Sequence, residues 1–122
     1  MTMSPIVTII CITYNQRDSI KSVIEGFLMQ VINFPIEIII SDDASDDGTA
    51  GMISQYADLH QKLITPIIRK KNIGQWSNLR ESLSLAKGKY IAYCEGDDYW
   101  TDKNKLQKQF DFLEKNPITS LV

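Results

Sequence analysis

The residues with the most chemical promise lie in one stretch, Tyr90–Asp102, which reads Tyr-Ile-Ala-Tyr-Cys-Glu-Gly-Asp-Asp-Tyr-Trp-Thr-Asp. An apolar run of strand character delivers Glu95, Asp97 and Asp98 to its C-terminal end, with Gly96 between the first two and aromatic rings directly after. Carboxylates bunched in this way repel, so a site that keeps them needs a cation or shared protons. Mg2+ or Mn2+ prefers oxygen ligands and takes only one or two carboxylates together with substrate phosphates. The expectation is a metal-diphosphate site on Asp97 and Glu95, at the end of a strand that looks buried. Asp98 and Asp102 read equally well as the acidic start of a helix before Asn104. Tyr99 and Trp100 suit packing beneath the site as well as contact with substrate.

Three further turns carry polar residues of the right kind. Thr13-Tyr14-Asn15 offers a hydroxyl, an aromatic face and an amide, the mixture a nucleobase needs for stacking and for its edge; it also reads as a plain strand-to-helix turn. Asp42 and Asp43 could accept from a base N–H or from ribose hydroxyls. Ser45, Asp46 and Asp47 beside them suit the start of the next helix, by capping and by the macrodipole. Arg69-Lys70-Lys71 could meet phosphate, or could be a solvated face. Asn72 and Gly74 read as turn formers, and Asn78, in the first turn of its helix, is a further candidate for ligand contact.

The elements that would position these turns follow from periodicity. Ile6–Ile12 is almost wholly apolar, as a strand covered on both faces should be. Asp18 or Ser19 is placed to cap a helix whose apolar face is Ile20, Val23, Ile24, Phe27, Leu28 and Val31. Glu37–Ile40 is the second strand, Ser41–Gly48 a turn, and a helix follows to about His60. Leu63–Ile68, interrupted by Pro66, suits an edge strand. Trp76, Leu79, Leu83 and Ala86 share one face of a third helix, which Gly88 would end. Tyr90–Cys94 is the fourth strand. Leu106, Phe110 and Leu113 mark a fourth helix stopping near Pro117, and Thr119–Val122 begins another apolar run.

Strand, helix and strand recur at the length of a βαβ unit, which predicts an α/β fold: a doubly wound, mostly parallel sheet in three αβα layers with right-handed crossovers. In such a sheet every strand's C-terminal end lies on one edge, where ligands bind, and all four polar turns fall there.

Composition narrows the classes. The 122 residues suit one domain with 43% apolar and 23% charged residues, and a net charge of −2 argues against nucleic acid as a partner. No apolar run approaches the roughly 20 residues that span a bilayer, and no signal peptide is evident. Cys11 and Cys94 both fall in strands and read as buried reduced thiols of a cytoplasmic protein. His60 is the single histidine and reads as solvated. There is no Gly-x-Gly-x-x-Gly after the first strand, no P-loop, and no Ser, Cys or His constellation for nucleophilic hydrolysis.

Val7–Asn15, Glu37–Thr49 and Gly88–Trp100, with Asn72-Ile73-Gly74 and Lys105–Gln109, resemble the family 2 glycosyltransferases of GT-A fold in residues and in spacing. The resemblance covers nearly the whole chain, and it is the combination of blocks that is specific. It implies a nucleotide pocket lined by Thr13, Tyr14 and Asn15, with Asp43 on the base and Asn72 and Asn78 nearby. Glu95-Gly96-Asp97 would be the Asp-x-Asp motif, with Asp97 the principal ligand of a Mn2+ or Mg2+ ion that bridges the donor diphosphate. Two positions depart from the usual pattern: Ile12 stands where many relatives have proline, and Glu95 replaces the first Asp. The implied reaction is transfer of a sugar, with inversion, from a nucleotide-sugar (a UDP-sugar by family prior) to a saccharide or lipid-linked acceptor hydroxyl. The chain would act in the cytoplasm or at the inner face of the membrane. Family members carry a second half with the acceptor site and the general base, and nothing in 1–122 aligns with it. The expectation is one donor-binding domain, whose uncovered sheet edge could support self-association, and the alternative is a catalytically incomplete binding or assembly module.

Overall fold

The computed structural model describes residues 4–116. Its elements alternate as β1 (Val7–Thr13), α1 (Arg17–Leu28), β2 (Ile36–Asp42), α2 (Thr49–Leu59), β3 (Ile64–Ile68), α3 (Gln75–Leu83), β4 (Tyr90–Glu95) and α4 (Lys105–Lys115). The four strands form one parallel sheet in the order β3-β2-β1-β4. The order reverses at β1, which opens a crevice above the carboxyl ends of β1 and β4.

Side-chain alternation sorts the layers. Val7, Ile9, Cys11, Ile38, Ile40, Ile64 and Cys94 face a large core shared with Ile20, Val23, Ile24 and Phe27 of α1, Ile53 of α2 and Leu106 of α4. Ile10, Ile12 and Ile39 face the other way, onto Leu79 and Ala86. The result is an αβα arrangement with α3 alone on the second face. Every residue of β1 is buried, as a central parallel strand covered on both sides requires. Each such isoleucine contributes about 1.5–3 kcal/mol by leaving water.

Several expectations need correction. β4 is an edge strand rather than a buried one, and Ile91 and Tyr93 are exposed because α3 covers only β1 and β2 on that face. Val31 lies beyond α1 and is exposed. In α3 the buried residues are Asn78 and Ser82; of the apolar face read from the sequence, Leu79 and Ala86 pack on the sheet, but Trp76 is 71% exposed and Leu83 is also exposed, so the face meets the sheet along one side only. Gly88 does not end α3, which stops at Leu83; a Cβ there would lie 2.6 Å from the Thr8 nitrogen, so the residue permits close approach to β1. Asp18 and Ser19 sit inside α1, and neither caps it. Its first free N–H groups are instead met from the β2–α2 loop and the first residue of α2: Gln16 N donates to Thr49 Oγ1 at 2.9 Å and Arg17 N to Asp47 Oδ2 at 3.2 Å. Pro66 lies on edge strand β3, where a missing donor is tolerated. Pro117 and the Thr119–Val122 run lie outside the described residues.

Candidate functional site

The carboxyl ends of β1, β2 and β4 and the loop before α3 enclose a cleft of about 330 Å³. Of the residues singled out by sequence, Thr13, Tyr14, Asp43, Asn72, Asn78 and Glu95 line it. Gly74, read from the sequence as a turn former, and Ile12, read as a departure from the family pattern, also line it, and Gln16 and Gln75, which were not anticipated, complete the lining. Each unanticipated residue adjoins a recognised motif, but which neighbour faces inward depends on how α1 and α3 dock, and that has no local signal.

At one end of the cleft, Asp43 follows β2 and is 3% exposed. Its Oδ1 accepts from Ile73 N at 2.8 Å and its Oδ2 from Gly74 N at 3.0 Å, while its carbonyl accepts from Asn72 Nδ2 at 3.0 Å. Charge-assisted bonds of this kind justify burying the carboxylate, and each oxygen keeps a second lone pair for a ligand donor. Ala44, next in the chain, holds φ at 64°, the left-handed conformation that turns the backbone away from the strand.

Asp42 has a different part. It is fully buried and accepts from Thr13 Oγ1 at 2.7 Å and from Ser45 through both N and Oγ. Thr13 therefore presents only oxygen lone pairs to the cleft. Asn15, at φ 50°, is exposed and joins two loops: its N donates to Ser45 Oγ, and its Oδ1 accepts from Asp46 N. It is not among the lining residues. Tyr14 is 51% exposed at the rim.

Asn78 is 1% exposed, and its amide is engaged by Ser41 and by Arg69 Nε at 2.8 Å. Arg69 also pairs with Glu81 at 2.5 Å, so the first residue of the basic triplet holds α3 to the β3–α3 loop. Lys70 and Lys71 are exposed and lie off the cleft lining.

At the other end, Glu95 Oε1 accepts from Gln75 Nε2 and from Tyr93 Oη, each at 3.3 Å. Burial, with Glu95 as the next cause, pushes the Tyr93 hydroxyl up to about 12, so it remains a donor at neutral pH. Asp97 and Asp98 are exposed. The ion pairs among the described residues involve Arg69–Glu81, Lys89–Glu114 and Lys108–Asp102, and none reaches the acidic turn. Trp100 is buried edge-on against Phe27 with ring centroids 4.9 Å apart, whereas Tyr99 is 56% exposed.

The donor set at this turn is all oxygen. No group of three His, Cys, Asp or Glu side chains converges among the described residues. Two carboxylates from one turn, Glu95 and Asp97, suit a Mg2+- or Mn2+-type ion that draws its remaining ligands from phosphate and water. Cys11 and Cys94 are register partners below the turn, both buried and free. A hydrogen bond to Cys94 that favours the protonated thiol, then burial, raise Cys11 well above its ordinary value, so it stays protonated.

The Glycosyl transferase family 2 model matches residues 8–122. The chain belongs to glycosyltransferase family 2. It is 46% identical over 114 residues to an uncharacterized protein of Mycobacterium tuberculosis, a match spanning 93% of this chain and 33% of that one. It is 36% identical over 116 residues to the UDP-Glc:alpha-D-GlcNAc-diphosphoundecaprenol beta-1,3-glucosyltransferase WfaP of Escherichia coli, spanning 93% of this chain and 43% of the relative. Among solved structures it is similar to the mannosyltransferase PcManGT from Pyrobaculum calidifontis in complex with GDP-Man and Mn2+: TM-score 0.79, 26% identity, 92% of this chain and 33% of the other. The likeness to S. aureus TarS 1-349 in complex with UDP, with TM-score 0.77 and 24% identity over 90% of this chain and 32% of the other, is one of fold. The fold is thus the GT-A glycosyltransferase fold, and the chain spans a third to 43% of the length of these relatives.

Proposed function

We propose that residues 1–122 form the nucleotide-sugar-binding domain of an inverting, metal-assisted family 2 glycosyltransferase. The observation that carries this reading is the convergence of Asp43 and Glu95 on one cleft at the reversal point of the sheet. In this reading the Asp43 end takes the base: Tyr14 supplies a face for stacking, and the Asp43 carboxylate, already holding the Asn72–Gly74 loop, accepts a base N–H. Asn72 and Asn78 support that end by fixing the loop and α3. Asn15 contributes by tying the β1–α1 turn to the β2–α2 loop.

Glu95 and Asp97 would hold the divalent ion at the diphosphate end, with Asp97 the principal ligand. Bound there, the ion would act as a Lewis acid on the departing nucleoside diphosphate. Glu95, held by Gln75 and Tyr93, orients the turn toward the phosphates. The transfer forms a bond from an acceptor oxygen to the anomeric carbon and breaks the bond to the diphosphate. A neutral alcohol needs a general base for that attack. We assign no catalytic base within this chain and place it in the part of the relatives that the chain does not span. No helix among the described residues is long and apolar enough to cross a membrane. We place the reaction in the cytoplasm or at its membrane face, on a saccharide or lipid-linked acceptor.

Calorimetry with UDP and with GDP, each with and without Mn2+, tests the reading. It predicts binding strengthened by Mn2+ and a strengthening lost in Asp97→Ala; no binding of either nucleotide would end it. A second reading, an assembly module inactive alone, is favoured by the open β4 edge, where Ile91 and Tyr93 are exposed. Sedimentation showing a monomer at high concentration, or transferase activity of the isolated chain, would remove it.

A further inference from the structure

The acidic turn is held from several sides. Gly96 N donates to Ile12 O at 3.0 Å, which extends the β1–β4 ladder by one bond. Asp98 N donates to Glu95 O at 3.0 Å and closes the turn. Cys94 Sγ donates to Asp98 O at 2.8 Å from below. A further hold comes from α1, 77 residues away in sequence: the Ser19 hydroxyl donates to the Gly96 carbonyl at 2.6 Å in a partly buried position. Its alternative acceptor, Gln16 O, lies farther off at 3.3 Å, and a hydroxyl has one proton to give.

The Gly96 carbonyl belongs to the peptide unit that joins Gly96 to Asp97. Fixing that oxygen fixes the rotation of the unit and therefore the direction in which the Asp97 side chain leaves the backbone. Among the described residues Asp97 has no ion pair to set its direction. Ser19 stands on a braced platform, because the first turn of α1 is tied to the β2–α2 loop through Asp47 and to the first residue of α2, Thr49. Gly96 also seats closely on this turn, since a Cβ there would lie 2.2 Å from Gln16 Oε1.

We propose that Ser19 is a positioning residue for the metal-binding limb of the site, acting through the Gly96 carbonyl to aim Asp97. The proposal rests on the nucleotide-sugar reading above. It assigns the aiming of the metal limb to a residue of α1 that is not itself part of the cleft lining.

The test is the ratio of nucleotide affinity with Mn2+ to that without, measured by calorimetry on the whole chain with UDP and GDP. Ser19→Ala should lower the ratio on the order of tenfold, as loss of an outer-sphere partner commonly does, while the metal-free affinity stays put. Ser19→Thr, which keeps the hydroxyl, should restore it. A merely structural role would lower the thermal midpoint and both affinities together, leaving the ratio unchanged. If Asp97→Ala abolishes the ratio and Ser19→Ala retains it, the proposal is overturned and the parent reading stands. If wild type shows no Mn2+ dependence, or Asp97→Ala leaves that dependence intact, both fall.

Discussion

Asn78 and Ser41 exchange two hydrogen bonds across the contact between α3 and β2: the Ser41 hydroxyl donates to Asn78 Oδ1, and Asn78 Nδ2 donates to the Ser41 carbonyl at 3.0 Å. Both residues are essentially buried, and Arg69 adds a third bond to the same amide. This polar staple anchors the helix that frames the cleft.

Replacing Asn78 should therefore act on stability before it acts on ligand. Asn78→Ala leaves the Ser41 hydroxyl and carbonyl without their partner in a buried place, at a cost of about 1–3 kcal/mol for the unsatisfied groups. Urea denaturation should show a lower midpoint with an unchanged slope.

Asp43→Asn should weaken nucleotide binding on the order of tenfold, equally with and without Mn2+. The amide has one acceptor oxygen where the carboxylate used two, so one of the Ile73 and Gly74 N–H groups loses a charge-assisted bond worth about 1.5–3 kcal/mol. A loss seen only in the presence of Mn2+ would place Asp43 at the wrong end of the cleft.

Gly96→Ala should disturb the acidic turn without unfolding the chain. The new Cβ would lie 2.2 Å from Gln16 Oε1, the mobile tip of a long side chain that can swing aside. It would also lie 2.7 Å from Thr13 Cγ2, which is stiff and bonded to Asp42, so the turn must move instead. The expected cost is about 1–3 kcal/mol of stability, with the Mn2+-dependent part of nucleotide binding lost.

Ala44→Gly should stabilise. Alanine at φ 64° bears the steric penalty of the left-handed region, and glycine removes a strain of roughly 1 kcal/mol. A raised thermal midpoint with unaltered nucleotide affinity is the expected pair of results.

Stability should fall on both sides of neutrality. Asp47, Asp102 and Glu114 are held below their ordinary values, chiefly by side-chain hydrogen bonds from Thr49, Lys108 and Tyr90. The unfolded chain binds more protons there, so these contributions are present above the ordinary carboxylate range and lost as pH drops through it. Cys11 is raised, chiefly by its bond with Cys94 and then by burial. Its contribution is full below the ordinary thiol value near 9 and declines as pH climbs toward the raised one. Cys11→Ala, which removes a fully buried core group, should have a lower denaturation midpoint than wild type at neutral pH, and the gap should narrow as pH rises above about 9.

The order of elements and the parallel sheet were legible because they depend on local periodicity: Ile6–Ile12 suits a doubly covered strand, found at Val7–Thr13, and Ile20 to Phe27 an amphipathic helix. Once the strands are parallel, Thr13, Asp43 and Glu95 must share an edge, whatever the details of packing. Tertiary structure alone decided which neighbours face the cleft. It placed Gln16 and Gln75 on the lining, turned Asn15 to the β2–α2 loop, and set Asn78 rather than Trp76 against the sheet. It moved Ser19 from a helix cap to the Gly96 carbonyl. A helix's apolar count does not fix its rotation when its buried face is polar, as in α3. A hydrogen bond across 77 residues leaves no trace in local spacing, so only the assembled chain can form it.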